Sequence, residues 1–215
     1  VHLGAQDSRP DVPAHLRLPV AVALLGVLAV VLPLALFRLR HGTWAVVVER
    51  SPEPLQRFVG RVFGISLAAL TAWTAAYAVV GPARLGVWPA PPLVEALGWA
   101  VFVVAAAIVV AGQATMGPSW RIGIDDQPTA LVADGLYRYV RHPIYAGMIA
   151  FTVALALLAP SPWTFAAVPF VAFEVGVQAR LEEAHMERLH GDLWRTYAAH
   201  TGRFFPHLQL VDREP

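Results

Sequence analysis

Cysteine is absent from this 215-residue chain. That excludes disulfides, a thiolate nucleophile and zinc–thiolate sites. Lysine is absent as well, and all sixteen basic residues are arginine. No Schiff-base chemistry can therefore run through the protein's own amine side chains. An all-arginine basic set accords with a GC-rich genome and so with a bacterial source. Charge is scarce: 14% of residues are Asp, Glu, Lys or Arg, where a soluble domain carries about 25%. The formal net charge is +1, which implies no polyanionic partner such as nucleic acid. No GxSxG, P-loop or GxGxxG pattern occurs.

What fills the chain instead is apolar. Hydrophobic residues make up 57% of it, and five stretches approach the roughly 20 residues that cross a hydrocarbon core. They are Leu18–Phe37, Val59–Val80, Leu93–Gly112, Ile144–Ala159 and Pro162–Gln178. The last two are short and are separated only by Pro160-Ser161-Pro162, which predicts a tight helical hairpin. The first seventeen residues are too long and too mixed in charge for a signal-peptide start, so the first stretch reads as a retained span. The expected fold is an all-α polytopic membrane bundle of about five helices. Its parts would be a polar tail (1–17), three spans (18–112) and a C-terminal core (113–215).

Arginine placement sets an expected orientation. Arg38, Arg40, Arg50, Arg57 and Arg61 lie between spans one and two. Arg121, Arg138 and Arg141 lie between spans three and four, and Arg180, Arg188, Arg195, Arg203 and Arg213 follow the fifth. Only Arg9, Arg17 and Arg84 fall on the other side. The positive-inside rule puts the N-terminus outside and the C-terminus in the cytosol, in a bacterial cytoplasmic membrane.

Two polar clusters then face the cytosol. The first is Asp134–Gly147, DGLYRYVRHPIYAG. Arg141 can clamp a carboxylate or phosphate in bidentate fashion, and His142 offers both a donor and an acceptor. Pro143 favours an extended residue before it and a helix start after it. Gly147 admits close approach of a ligand or a neighbouring helix. The competing reading makes Arg138 and Arg141 interfacial anchors and the tyrosines an aromatic belt. The second cluster is Glu182-Glu183. Glu174, Gln178, Glu182 and His185 share one helical face, and their carboxylates suit an ammonium and ribose hydroxyls. A solvated charge stripe is the alternative. Glu182-x-x-His185 has di-iron spacing, but a di-iron bundle needs such a motif from each of two helices with two further carboxylates, so no metal is expected.

GLYRYVRHPIYAG, then a helical hairpin, then Glu-Glu, then HGDLWRTYAAHTGRFFP resembles the isoprenylcysteine carboxyl methyltransferase and phospholipid methyltransferase superfamily. The resemblance covers about the last hundred residues. It implies an integral membrane enzyme that uses S-adenosylmethionine and a lipophilic carboxylate or amine acceptor. His142, Tyr145 and Gly147, with Arg141 beside them, fall on the first cofactor motif. Glu182 and Glu183 fall on the second, and Tyr197, Arg203 and Pro206 on a segment that roofs the cofactor. Glu183, Arg203 and Glu174 become the candidates for orienting or deprotonating the acceptor. Trp194 stands where these methyltransferases more often carry tyrosine. Related membrane sterol reductases carry W-x-x-Y there, so an NADPH-dependent reductase is the alternative enzyme and a membrane scaffold the alternative without chemistry.

Overall fold

The computed structural model describes residues 13–42, 45–46, 54–117 and 130–207. Arg9, Arg50, Arg121, Arg213, Asp125-Asp126 and Pro128 lie outside the described residues. Five apolar helices and one short amphipathic helix follow one another: α1 (Ala14–Arg40), α2 (Pro54–Val80), α3 (Pro92–Met116), α4 (Pro143–Leu158), α5 (Pro162–His190) and α6 (Asp192–His200). Val140 and Gly202 form an isolated parallel bridge.

Four of these helices, α1, α2, α3 and α5, are long and apolar enough to cross a membrane. Only 6–28% of their most apolar stretches is buried within the protein. In water such exposed surface would drive aggregation; in lipid it is the expected outer face. The fourth predicted span is shorter than a crossing requires. At 16 residues, α4 is about 24 Å long, against a core of about 30 Å. In contrast α5, at 29 residues, reaches about 43 Å. It carries Glu182 and Glu183 a turn beyond the predicted end at Gln178.

Local chemistry explains the breaks. Pro33 lies in α1 and has no N–H to offer Ala29. The helix widens into a π turn over Val27–Val31, and Gln113 Nε2 of α3 donates to the freed Ala29 carbonyl at 2.7 Å. Pro162 begins α5, where Ser161 and Thr164 form a reciprocal capping box with both side chains buried. That cap turns the chain sharply after α4 and makes the predicted hairpin.

Small residues bring α3 and α4 together in the most extensive helix contact of the fold. A Cβ on Gly98 would lie 2.8 Å from Leu158, on Gly112 2.9 Å from Ile144, and on Gly147 2.7 Å from Val109. Lipid tails are as apolar as leucine, so helices in a bilayer associate by close packing of this kind. Trp73 and Tyr77 (ring centroids 5.4 Å apart) and Trp99 and Phe102 (5.7 Å) fill the space between helices.

Candidate active site

The site grows from the residue in front of Pro143. Proline disfavours α-helical geometry there; His142 is non-helical at φ −127°, ψ 64°, short of the fully extended backbone expected. The stretch 139–142 is outside the helix that follows and leaves backbone groups to be paired. They pair with the end of the chain: Arg141 N–H donates to the Gly202 carbonyl at 2.8 Å. His142 N–H donates to that of Arg203 at 3.0 Å, and Gly202 N–H to that of Tyr139 at 3.3 Å. The C-terminal strap, Thr201–Pro206, thus lies alongside the mouth of α4. Glycine is required at its turn, because a Cβ on Gly202 would stand 1.6 Å from the Phe205 carbonyl oxygen.

Helix α6 seats the strap. Trp194 is buried and its ring sits 5.5 Å from that of Tyr197. The Tyr197 hydroxyl donates to the Tyr137 carbonyl at 2.7 Å. Burial pushes the Tyr197 phenol up to about 12, against the opposing pull of the Thr201 hydrogen bond and the Arg141 charge. It stays a neutral donor. Tyr137, more deeply buried and near Glu182 and Tyr197, is raised as well.

Glu182 and Glu183, neighbours on α5, turn to different partners. Glu183 is the anchor of the strap. Its Oε1 accepts from Arg141 Nε at 3.0 Å and Arg203 Nε at 3.0 Å, and its Oε2 from Arg203 Nη2 at 2.6 Å. Arg141 Nη1 also donates to the carbonyls of Ala198 (2.7 Å) and Thr201. The hydrogen bond from Arg203 to Glu183 raises that guanidinium further. Glu182 is more open, 27% exposed against 15% for Glu183. Its Oε1 accepts from the Tyr145 hydroxyl and from Gln178 Nε2 at 2.9 Å.

His142 lies between the two carboxylates. Its Nδ1 is 3.6 Å from Glu182 Oε2 and its Nε2 is 3.3 Å from Glu183 Oε1. The second approach is close enough for an ion pair but is poorly aligned for a hydrogen bond, so Nε2 is buried without a hydrogen-bond partner. The imidazole stacks on Tyr145, centroids 5.5 Å apart and planes 11° from parallel. Gln178 Oε1, one turn deeper on α5, is also buried and unpartnered.

The fold therefore brings together Arg141, His142, Tyr145, Glu182, Glu183 and Arg203, with Tyr197 bracing the strap from behind. Two candidates stand apart. Gly147 faces α3, where its missing side chain admits Val109 and the Ala105 carbonyl. Of its two possible roles, the helix approach is the one the packing uses. Glu174 is eight residues, about 12 Å, down the helix from Glu182. It is 5% exposed and accepts a hydrogen bond from Ser66 of α2 at 3.1 Å. Ser66, Gly202 and the carbonyls of Ala198 and Thr201 carried no signal in the sequence beyond their residue types. Their importance comes from partners 57 to 108 positions away.

The sequence profile of the phospholipid methyltransferase family matches residues 93–192, from the start of α3 to the start of α6. A curated relative, methanethiol S-methyltransferase 1 of Bradyrhizobium diazoefficiens, is 33% identical over 85 residues, which is 40% of this chain and 29% of that protein. The chain thus spans less than a third of the relative it matches. The segment 93–192, which carries both the His142–Tyr145 and the Glu182–Glu183 residues, is thus similar to the phospholipid methyltransferase family.

Proposed function

We propose that this protein is an integral membrane methyltransferase that draws its methyl group from S-adenosylmethionine and passes it to a lipophilic acceptor. The observation that carries the reading is the convergence of the His142–Tyr145 and Glu182–Glu183 segments beneath one strap, within a family of methyltransferases. The residues present fit the cofactor. His142 Nε2 is a buried nitrogen without a hydrogen-bond partner, and Glu182 is the carboxylate with room for an ammonium or a ribose hydroxyl. Glu183 is saturated by two arginines. Its part is to hold the strap that roofs the site, with Arg141 and Arg203 as the holding cations. Tyr145 fixes Glu182, and Tyr197 fixes the segment that presents Arg141.

When bound, the cofactor supplies an already activated methyl group, so the protein's work is proximity and alignment. Neither lysine nor cysteine is needed. Arginines gather at the strap end of the bundle, at 57, 61, 138, 141, 180, 188, 195 and 203, while Arg17 and Arg84 mark the other end. That bias supports a cytosolic site with the N-terminus outside. The acceptor class is a carboxylate or an amine, with Arg203 or Glu174 as its orienting residue; the relative's name adds a small thiol.

Calorimetric titration of the detergent-purified protein with S-adenosylhomocysteine, in parallel with NADPH, tests the reading. We expect micromolar binding of the former, weakened at least tenfold in Glu182→Gln or His142→Ala. Binding of NADPH alone would move the chain to a reductase, and binding of neither by folded protein would end the enzymatic reading.

A further inference from the structure

Gln56, the third residue of α2, is the largest fully buried side chain among the described residues, at 1% exposure. Neither its Nε2 nor its Oε1 has a hydrogen-bond partner. A carboxamide carries two donors and one acceptor. Burying all of them unpaired is costly, and a native structure that does so has a reason. No partner among the described residues satisfies it, so a ligand is the natural candidate.

Register places Gln56 at the level of the site. The Ser66–Glu174 hydrogen bond fixes the depth of α2 against α5, and the two helices run in opposite directions through the bundle. From Ser66, ten residues toward the arginine-rich end reach Gln56, about 15 Å away along the axis. From Glu174, eight and nine residues toward the same end reach Glu182 and Glu183, about 12 and 13 Å away. Gln56 therefore lies at the depth of the carboxylate pair.

The complement of a buried carboxamide is a planar group with a donor beside an acceptor. The edge of adenine has this form, with its 6-amino group next to a ring nitrogen, and glutamine reads it with two hydrogen bonds. We propose that Gln56 is the adenine-reading residue of the site, accepting from the 6-amino group through Oε1 and donating to a ring nitrogen through Nε2. The proposal rests on the S-adenosylmethionine reading above and adds a residue from α2, outside the matched segment 93–192. An amide on the methyl acceptor has the same chemistry, and the experiment separates the two.

The full-length protein in detergent is titrated with S-adenosylhomocysteine and with its purine analogue lacking the 6-amino group. Wild type is expected to bind the analogue at least tenfold more weakly. Gln56→Leu should weaken S-adenosylhomocysteine at least tenfold and bring the ratio of the two ligands to within twofold. A residue that merely packs would weaken both ligands alike and leave the ratio intact, which overturns the proposal. Wild type that binds both ligands equally also overturns it, and this result needs no variant, so misfolding of Gln56→Leu does not protect the idea. Unchanged S-adenosylhomocysteine binding in Gln56→Leu would assign the carboxamide to the acceptor and reject the adenine role. Failure of wild type to bind S-adenosylhomocysteine at all is the separate result that ends the parent reading.

Discussion

Replacing Glu183 by glutamine removes the negative charge that holds the strap, while keeping the shape of the side chain. Three charge-assisted hydrogen bonds from Arg141 and Arg203 end on this carboxylate. Arg141 is 13% exposed and Arg203 37%. Breaking a buried ion pair costs about 3–5 kcal/mol. The exposed side of Arg203 is screened by water and adds little, so about 3 kcal/mol is the expected loss at the strap. That is a rise of about a hundredfold in its open population. The backbone amides of Arg141, His142 and Gly202 are tied by the strap pairing and report its opening by hydrogen exchange. In Glu183→Gln these three amides should exchange about a hundredfold faster. Amides in the packed middle of α3 and α4 should hold their rates. If exchange at residues 139–142 and 202 changes by less than about threefold, Glu183 does not latch the strap and the reasoning fails.

Three further outcomes follow from the same geometry. In Gly202→Ala, the new Cβ meets the Phe205 carbonyl, which as backbone cannot step aside. We expect a cost of about 2 kcal/mol and faster tryptic cleavage after Arg203; cleavage at the wild-type rate would contradict the turn. Gly147→Ala presses on Val109 and on the Ala105 carbonyl. It should lower the thermal midpoint through a loss of about 1–3 kcal/mol, with S-adenosylhomocysteine binding per folded molecule unchanged. An unchanged midpoint with lost binding would make Gly147 a cofactor contact instead. The Tyr197 phenol is held up at about 12 against an ordinary 10.0. A proton held more tightly when folded gives stability that is complete below pH 10 and lost as pH rises toward 12. Tyr197→Phe should start about 1 kcal/mol less stable, having lost the bond to Tyr137, and should show a flatter decline above pH 10. Parallel decline in both proteins would remove Tyr197 from the alkaline transition.

Much of the fold was legible in the order of residues because its causes are local. Runs of apolar side chains long enough for a bilayer, proline at helix starts and Ser161 before Pro162 act within a turn or two. They marked five helices within a few residues at most of their ends. One length departed clearly from expectation, for a local reason. Composition marks where lipid contact ends, not where hydrogen-bonded helix ends, so α5 continues past Gln178 as far as His190. The motif residues of the candidate site were visible as residue types, and Pro143 announced the helix start and a non-helical His142 before it.

By itself, then, the sequence determined a membrane bundle, its hairpin and the identity of the polar residues at one end. Only the tertiary structure decided what those residues do to one another. Glu182 and Glu183 are adjacent in the chain, yet a rotation of about 100° per residue along a helix sends one to Tyr145 and Gln178 and the other to two arginines. Arg203 acquires its partner 20 positions back, Arg141 its partner 42 positions on, and Glu174 its serine 108 positions away. No local pattern encodes such pairings. They arise because the small residues of α3 and α4 set the helix spacing, and because the non-helical backbone before Pro143 takes residues 202–203 as its hydrogen-bonding partners.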